Sequence, residues 1–285
     1  MLNILNFIDH PLAGTPYGAA LDLCIVLATT CWVLSIVTRE YSWVDRLWSV
    51  VPAVYCLIVA SDLEFQSVRV NVMTALATMW AIRLTFNYAR KGGYWIGGED
   101  YRWIYLRKQM SGLQFQLMNV MVVSIGQMAI VWLFTSPIHQ AWVYAERPMG
   151  WLDFVAVVVF LVLLTLESFA DAQMWQFQQN KKRLIQEGIE VERPFIDSGL
   201  FRFSRHPSYF CEMGMWVTFY VFAISASGQF WHWTGLGCIL LILVFQGSTR
   251  LAEQISSEKY PTYSKYQASV PKLIPFTRLG CIPEK

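Results

Sequence analysis

Residues Gly199 to Ser227 read GLFRFSRHPSYFCEMGMWVTFYVFAISAS. The first part is basic: Arg202, Arg205 and His206 stand directly before Pro207, a residue suited to the first turn of a helix. From Tyr209 to Ser227 the chain is apolar enough for a membrane span and carries one acid, Glu212, near its start. A basic turn feeding a helix start brings cations and unpaired peptide N–H groups together, which makes an anion cradle. The apolar half points to the fold class and the basic half to the chemistry.

Composition extends that reading to the whole chain. Of its 285 residues 55% are hydrophobic and only 15% charged, against roughly 25% charged in soluble domains. Thirteen Trp and eighteen Phe suit the aromatic belts of a lipid-facing protein. The net charge of +2 is too small to imply a nucleic-acid partner. Six cysteines, Cys24, Cys31, Cys56, Cys211, Cys238 and Cys281, form no CxxC or zinc spacing, so they are expected as small buried hydrophobes and no metal is expected. The first dozen residues hold Asp9 and His10 but no Lys or Arg, so no cleavable signal peptide is expected.

Seven apolar stretches approach the length of a bilayer core: Tyr17–Thr38, Leu47–Ala60, Val70–Ala89, Phe115–Ser136, Trp151–Ala170, Tyr209–Ser227 and Trp233–Thr249. The second is short and carries Pro52, which predicts a kinked or re-entrant segment. All but Arg69, Arg83 and Arg147 of the 22 Lys and Arg residues fall in segments 39–46, 90–114, 171–208 and 250–285. By the positive-inside rule these segments are cytoplasmic, with the N-terminus outside and the C-terminus inside. With no repeat and no linker, residues 1–285 read as one all-α, polytopic membrane domain with seven transmembrane helices. Its polar chemistry gathers in the loops 90–114 and 171–208 and the tail 250–285.

The ionisable residues gather at the cytoplasmic ends of these spans. Asp45 and Arg46 open the second; Arg83 and Asn87 share a face of the third with Trp80 and Arg90; Glu167 and Asp171 end the fifth; Glu212 lies one turn into the sixth. Charges at such positions are costly and are functional candidates by default, though pairs such as Arg83 with Asp45 or Arg250 with Glu212 would serve as helix-joining contacts. Arg202 and Arg205 suit phosphates, His206 suits capping or donation, and Asp171 and Glu212 suit ribose hydroxyls or an amide. The loop RKGGYWIGGEDYRWIYLRKQM, residues 90–110, reads equally as a ligand lid or a solvated loop, and its glycine pairs make no GxGxxG. At the end of the seventh span Arg250 and Glu253 share a face. Beyond them Tyr260, Tyr263 and Tyr266 repeat every three residues, to pack a planar ring or to fold back on the membrane.

GLFRFSRHPSYFCEMGMW, ESFADAQ upstream and KYPTYSKY…VPKLIPF downstream together resemble the steroid 5-alpha-reductase family, over roughly residues 40–280. The loop KGGYWIGGEDYRWIYLR is similar to the prokaryotic branch of that family. The resemblance implies a seven-helix membrane fold that binds NADPH from the cytoplasmic side and reduces the C=C bond of a 3-oxo-4-ene steroid or related enone lipid. It would put Asn87, Arg90, Lys91, Glu167, Asp171, Arg202, Arg205, His206, Ser208, Tyr209, Glu212 and Arg250 around the cofactor. Ser208 stands where the family often has Asn. The vertebrate enzymes polarise the ketone with a Glu on the second helix and a Tyr on the third; the matching positions here hold Arg46 and Trp80. Asp45 is the nearby carboxyl group, and Tyr41, Tyr55 or Tyr88 a nearby hydroxyl, so Asp45, Arg46, Trp80 and Tyr88 are the catalytic candidates. Two other functions fit part of the pattern. One is an S-adenosylmethionine-dependent methyltransferase of the isoprenylcysteine carboxyl type, which shares an RHPSYF-like turn; the other is a non-enzymatic lipid-binding protein. The expected setting is a monomer in a bacterial inner membrane, or in the endoplasmic reticulum of a eukaryote, meeting its lipophilic substrate among membrane lipids.

Overall fold

The computed structural model describes residues 12–95, 97–191 and 194–277. Asp9, His10, Arg193, Arg278, Cys281 and Lys285 of the sequence analysis lie outside the described residues. All regular structure among the described residues is helical. The long elements are α1 (Pro16–Thr38), α4 (Val68–Arg90), α9 (Trp151–Gln186), α10 (Pro207–Ser227) and α11 (Leu236–Lys259). Shorter ones are α2 (Trp43–Trp48), α3 (Val51–Asp62), α5 (Tyr101–Gln109), α6 (Gly112–Met118), α7 (Gln127–Thr135), α8 (Pro137–Val143) and α12 (Tyr263–Ser269).

Among the described residues six helical stretches are long and apolar enough to cross a membrane: Pro16–Thr38, Trp43–Asp62, Gly112–Val143, Trp151–Gln186, Pro207–Ser227 and Trp233–Lys259. The expected third span forms as the 23-residue α4 but is not among the six. Arg69, Asn71, Arg83, Asn87 and Arg90 dilute its hydropathy. The expected break near Pro52 is present, with α2 ending at Trp48 and Pro52 in the first turn of α3, where its missing N–H costs no helical bond. Between α6 and α7 lies an eight-residue π-helix, Asn119–Gly126, which no sequence pattern announced. Caps fix several starts: Thr15 accepts from the Gly18 N–H before α1, Asp100 from the Arg102 N–H before α5, and Ser111 forms a capping box with Gln114 before α6.

The chain divides into two compact units, with boundaries inside α9, α10 and α11. The first comprises Met1–Val158 and Trp216–Leu241, the second Val159–Met215 and Ile242–Lys285. In the first, α3 packs on α4 and α1 packs on α3 and α7, around the fully buried rings of Tyr17, Tyr55, Trp80, Phe134 and Trp216. In the second, Ile196 and Phe201 pack on Ala170 of α9, and Phe195 packs among Tyr260, Tyr263 and Tyr266. The tyrosine repeat therefore meets the protein's own phenylalanine. Val26, Ile36, Ile82, Val158 and Val162 lie exposed on long helices, as lipid-facing positions require. The described cysteines, Cys24, Cys31, Cys56, Cys211 and Cys238, are all buried, in line with the expectation for them.

One end of the first unit is closed by charge. Arg69 and Asp153, 2% and 0% exposed, pair bidentately, Nε and Nη2 donating to the two carboxylate oxygens at 2.9 and 3.0 Å. The remaining donors of Arg69 reach the Arg147 and Pro148 carbonyls, while Asp153 also accepts from the Gly150 N–H and Ser225 Oγ at 2.7 Å. Removing one partner strands a buried charge, a loss of about 3–5 kcal/mol. Arg69→Met and Asp153→Leu are each expected to abolish or sharply lower the thermal transition of the detergent-solubilised protein. The double variant should recover much of that loss; a double variant as unstable as the two singles combined would contradict the pairing.

Candidate functional site

The expected site residues fall into two groups. Asp45, Arg46, Trp80, Asn87, Tyr88, Arg90 and Lys91 lie in the first unit; Glu167, Asp171, Arg202, Arg205, His206, Ser208, Tyr209, Glu212 and Arg250 lie in the second.

In the second unit the basic turn is anchored by its neighbours. Gly199 adopts a positive φ of 61° with the Gln173 side chain pressed against it, and Gln173 Oε1 accepts from the Leu200 N–H at 2.9 Å. The Arg205 and His206 N–H groups donate to the Pro271 and Lys272 carbonyls at 2.9 and 3.2 Å. Those two peptide donors, offered to an anion by the sequence reading, hold the C-terminal tail instead. Ser204 Oγ binds the same tail at the Leu273 carbonyl, 2.7 Å away.

The Arg205 guanidinium is likewise engaged within the protein. It grips both oxygens of Glu253 at 2.7 and 3.0 Å and donates to the Gln267 and Val270 carbonyls. His206 Nε2 meets the same Glu253 carboxylate at 2.9 Å, and its ring stacks on Tyr209 at 5.5 Å. Arg205 thus acts as a clamp on the tail. Arg202 and Arg250 are exposed and make no ion pair among the described residues. Glu167, Asp171 and Glu212 are 1%, 7% and 6% exposed, and Ser208 Oγ lies 3.5 Å from Asp171 Oδ1. The second unit therefore offers two exposed cations and three buried carboxyl groups. That chemistry fits a nucleotide, whose phosphates need cations and whose ribose hydroxyls need acceptors.

In the first unit the segment 39–46 clasps the glycine-rich loop. Arg46 donates to the Gly93 and Trp95 carbonyls, both at 3.2 Å, pairs with Glu40 at 2.8 Å and lies over the Trp43 ring. Glu40 accepts from the Gly97 N–H, Glu99 from the Tyr41 N–H, Ser42 Oγ from the Asp100 N–H, and Asp45 Oδ2 from Trp103 Nε1 at 2.8 Å. Tyr94 closes the set by donating to the Arg46 carbonyl. Gly93 is required by closeness: a Cβ there would lie 2.3 Å from the Tyr88 ring. Four backbone groups of this loop, at Gly93, Trp95, Gly97 and Asp100, are thus held by side chains of segment 39–46.

The four catalytic candidates differ in what they have to offer. Arg46 is committed to the loop and Asp45 to Trp103. Trp80 Nε1 and Tyr88 Oη are buried donors with no hydrogen-bond partner among the described residues. The two stand eight residues apart on α4, about 12 Å along its axis, too far to serve one acceptor atom. Asn87 Oδ1 accepts from Arg90 at 2.7 and 3.0 Å, so this pair is linked. The sequence reading passed over Trp216, whose fully buried indole packs edge-on against Trp80 at 4.9 Å and whose Nε1 also has no partner among the described residues.

Residues 31–270 match the model of the family described as "Protein of unknown function (DUF1295)". The chain belongs to that family, which lies in the steroid 5-alpha-reductase-like superfamily. The uncharacterized protein C594.04c of Schizosaccharomyces pombe is 36% identical, over 95% of this chain and 83% of its own length. No solved structure matches the chain.

Two predictions test the anchors. The Gly97 N–H first, and Arg46 after it, hold the Glu40 carboxyl below the usual carboxylate range despite the opposing effect of burial. A depressed carboxylate stabilises above its unfolded value, about 4.3, and that contribution is lost as pH falls through the folded value. Fluorescence of the exposed Trp95 and exchange of the Gly97 amide should report loop release below about pH 4, and Glu40→Gln should remove this acid step. Arg205→Ala should free the tail, at a cost of about 3 kcal/mol or more, seen as faster proteolysis after residue 260. A tail as resistant as in the parent protein would argue against the clamp.

Proposed function

We propose that this protein is an NADPH-dependent reductase of the C=C bond of a 3-oxo-4-ene steroid or similar enone lipid, as in the prokaryotic-type branch of its superfamily. The observation that carries the reading is that exposed Arg202 and Arg250 and the buried acids Glu167, Asp171 and Glu212 all belong to the second unit. Arg202 would bind pyrophosphate oxygens and Arg250 the phosphate that distinguishes NADPH; the acids, with Ser208, would accept from ribose hydroxyls and the carboxamide. Arg205, through Glu253 and the tail, would hold that surface in place.

When bound, NADPH supplies the hydride that the amino acids lack. As the β-carbon of an enone gains electrons, negative charge builds on the carbonyl oxygen, and a donor already fixed there lowers the barrier. The Trp80 indole N–H is suited to that task, being fully buried and still available. Tyr88, next to Gly93 and Tyr94, would close the loop end, and Asp45, through Trp103, would orient α2. We also propose that α4 completes a seventh span, and that the cation-rich segments face the cytoplasm, with the N-terminus outside.

The deciding measurement mixes purified protein in detergent with NADPH and a 3-oxo-4-ene steroid and follows loss of nicotinamide absorbance. NADPH binding with oxidation is expected. Saturable uptake of S-adenosylmethionine without NADPH binding would sink the reductase reading in favour of a methyltransferase, and binding of neither would leave a lipid-binding protein. Trp80→Phe should lower turnover on the order of a hundredfold while NADPH affinity stays within about twofold.

A further inference from the structure

Helix α11 presents Gln246, Arg250 and Glu253 at spacings of four and three, along one face. The two ends of this row are occupied. Glu253 takes Arg205 and His206, and Gln246 Oε1 accepts from Lys272 Nζ at 2.7 Å. Lys272 is also fixed through its backbone, because its carbonyl accepts from the His206 N–H and from Ser204 Oγ. The ammonium group is thereby held one helical turn from Arg250, which is exposed and has no ion-pair partner among the described residues. Burial first, and then the charges of Arg250 and Arg205, push the Lys272 amine below its usual range against the opposing pull of Glu253. Positive charge thus exceeds negative charge on this face, since Glu253 is already shared between Arg205 and His206.

We infer that Arg250 and Lys272, with Gln246 setting the lysine, form a phosphomonoester site, and that its ligand is the 2′-phosphate of the adenine ribose. This assignment rests on the NADPH reading above. Two cations match a single dianionic phosphate better than they match a pyrophosphate, whose two charges sit on separate phosphorus centres. Gln246 keeps its Nε2 hydrogens for a phosphate oxygen while its Oε1 is held by Lys272. Lys272 is then a selectivity residue that no sequence motif in the basic turn indicated.

The test uses the full-length protein in detergent and four probes: NADPH, NADH, adenosine 2′,5′-bisphosphate and adenosine 5′-phosphate. Lys272→Met and Arg250→Gln should each weaken NADPH and the bisphosphate by about ten- to a hundredfold. NADH and the monophosphate should stay within about twofold, and Lys272→Arg should restore most of the preference. Arg250→Gln changes an exposed side chain and so reports selectivity even if Lys272→Met fails to fold. Equal losses for NADPH and NADH, or an unchanged NADPH affinity, would overturn the assignment. If neither dinucleotide binds the parent protein, the reductase reading fails by itself. Lys272-dependent binding of the bisphosphate would then still support the phosphate site, and its absence would overturn that as well.

Discussion

A charge withdrawn from water into an apolar helical bundle must find its opposite within a few ångströms, and most of this molecule's order follows from that requirement. Arg69 finds Asp153, Arg46 finds Glu40, and Arg205 finds Glu253. Each guanidinium then gives a further donor to a backbone carbonyl in a loop or tail outside the helices. The planar fork of arginine suits this double duty better than lysine, because its donors point in several fixed directions at once. Irregular backbone near an apolar phase needs such partners, since water is not there to supply them. The three arginines thus fix three irregular segments: the turn before α9, the glycine-rich loop after α4 and the C-terminal tail.

That economy separates positioning from binding. In the second unit Arg205 is spent on Glu253 and the tail, while Arg202 and Arg250 are exposed and make no ion pair among the described residues. In the first unit, Arg46 and Asp45 are bonded into the clasp while the Trp80 indole is not. Sequence alone ranks all of these together, because a cation or acid at a helix end looks the same whether or not a partner has already claimed it. Contacts sort them by what each group still has to give.

What a reader of the chain recovers is local. Apolar length marks the helices, Pro52 marks the break between α2 and α3, and the buried cysteines follow from their apolar surroundings. The basic turn before α10 is also plain. What is lost depends on residues far apart in sequence. Asp153 lies 84 positions from Arg69 and carries no motif. Glu253 was noted only as sharing a face with Arg250, and its grip on Arg205, 48 positions away, is set by how the tail folds back. The π-helix after α6 shows no signature because its residues are ordinary helix and strand formers. The count of spans suffers from the opposite problem. α4 has the length, but Arg69, Asn71, Arg83, Asn87 and Arg90 lower the average by which a span is judged.

Helix α9 fixes phase as well as distance. Within the second unit it carries Glu167 and Asp171, then Gln173 against the Gly199 turn, then Lys181, which donates to the Pro194 carbonyl and to Tyr260. A residue inserted between Asp171 and Lys181 would rotate everything beyond it by about 100° and advance it about 1.5 Å. Lys181 would leave Tyr260, and an insertion before Gln173 would take the amide from the turn as well. Related chains should therefore vary in length in their connecting loops and keep a constant count along this helix, whose residue number is as much a part of the site as its side chains.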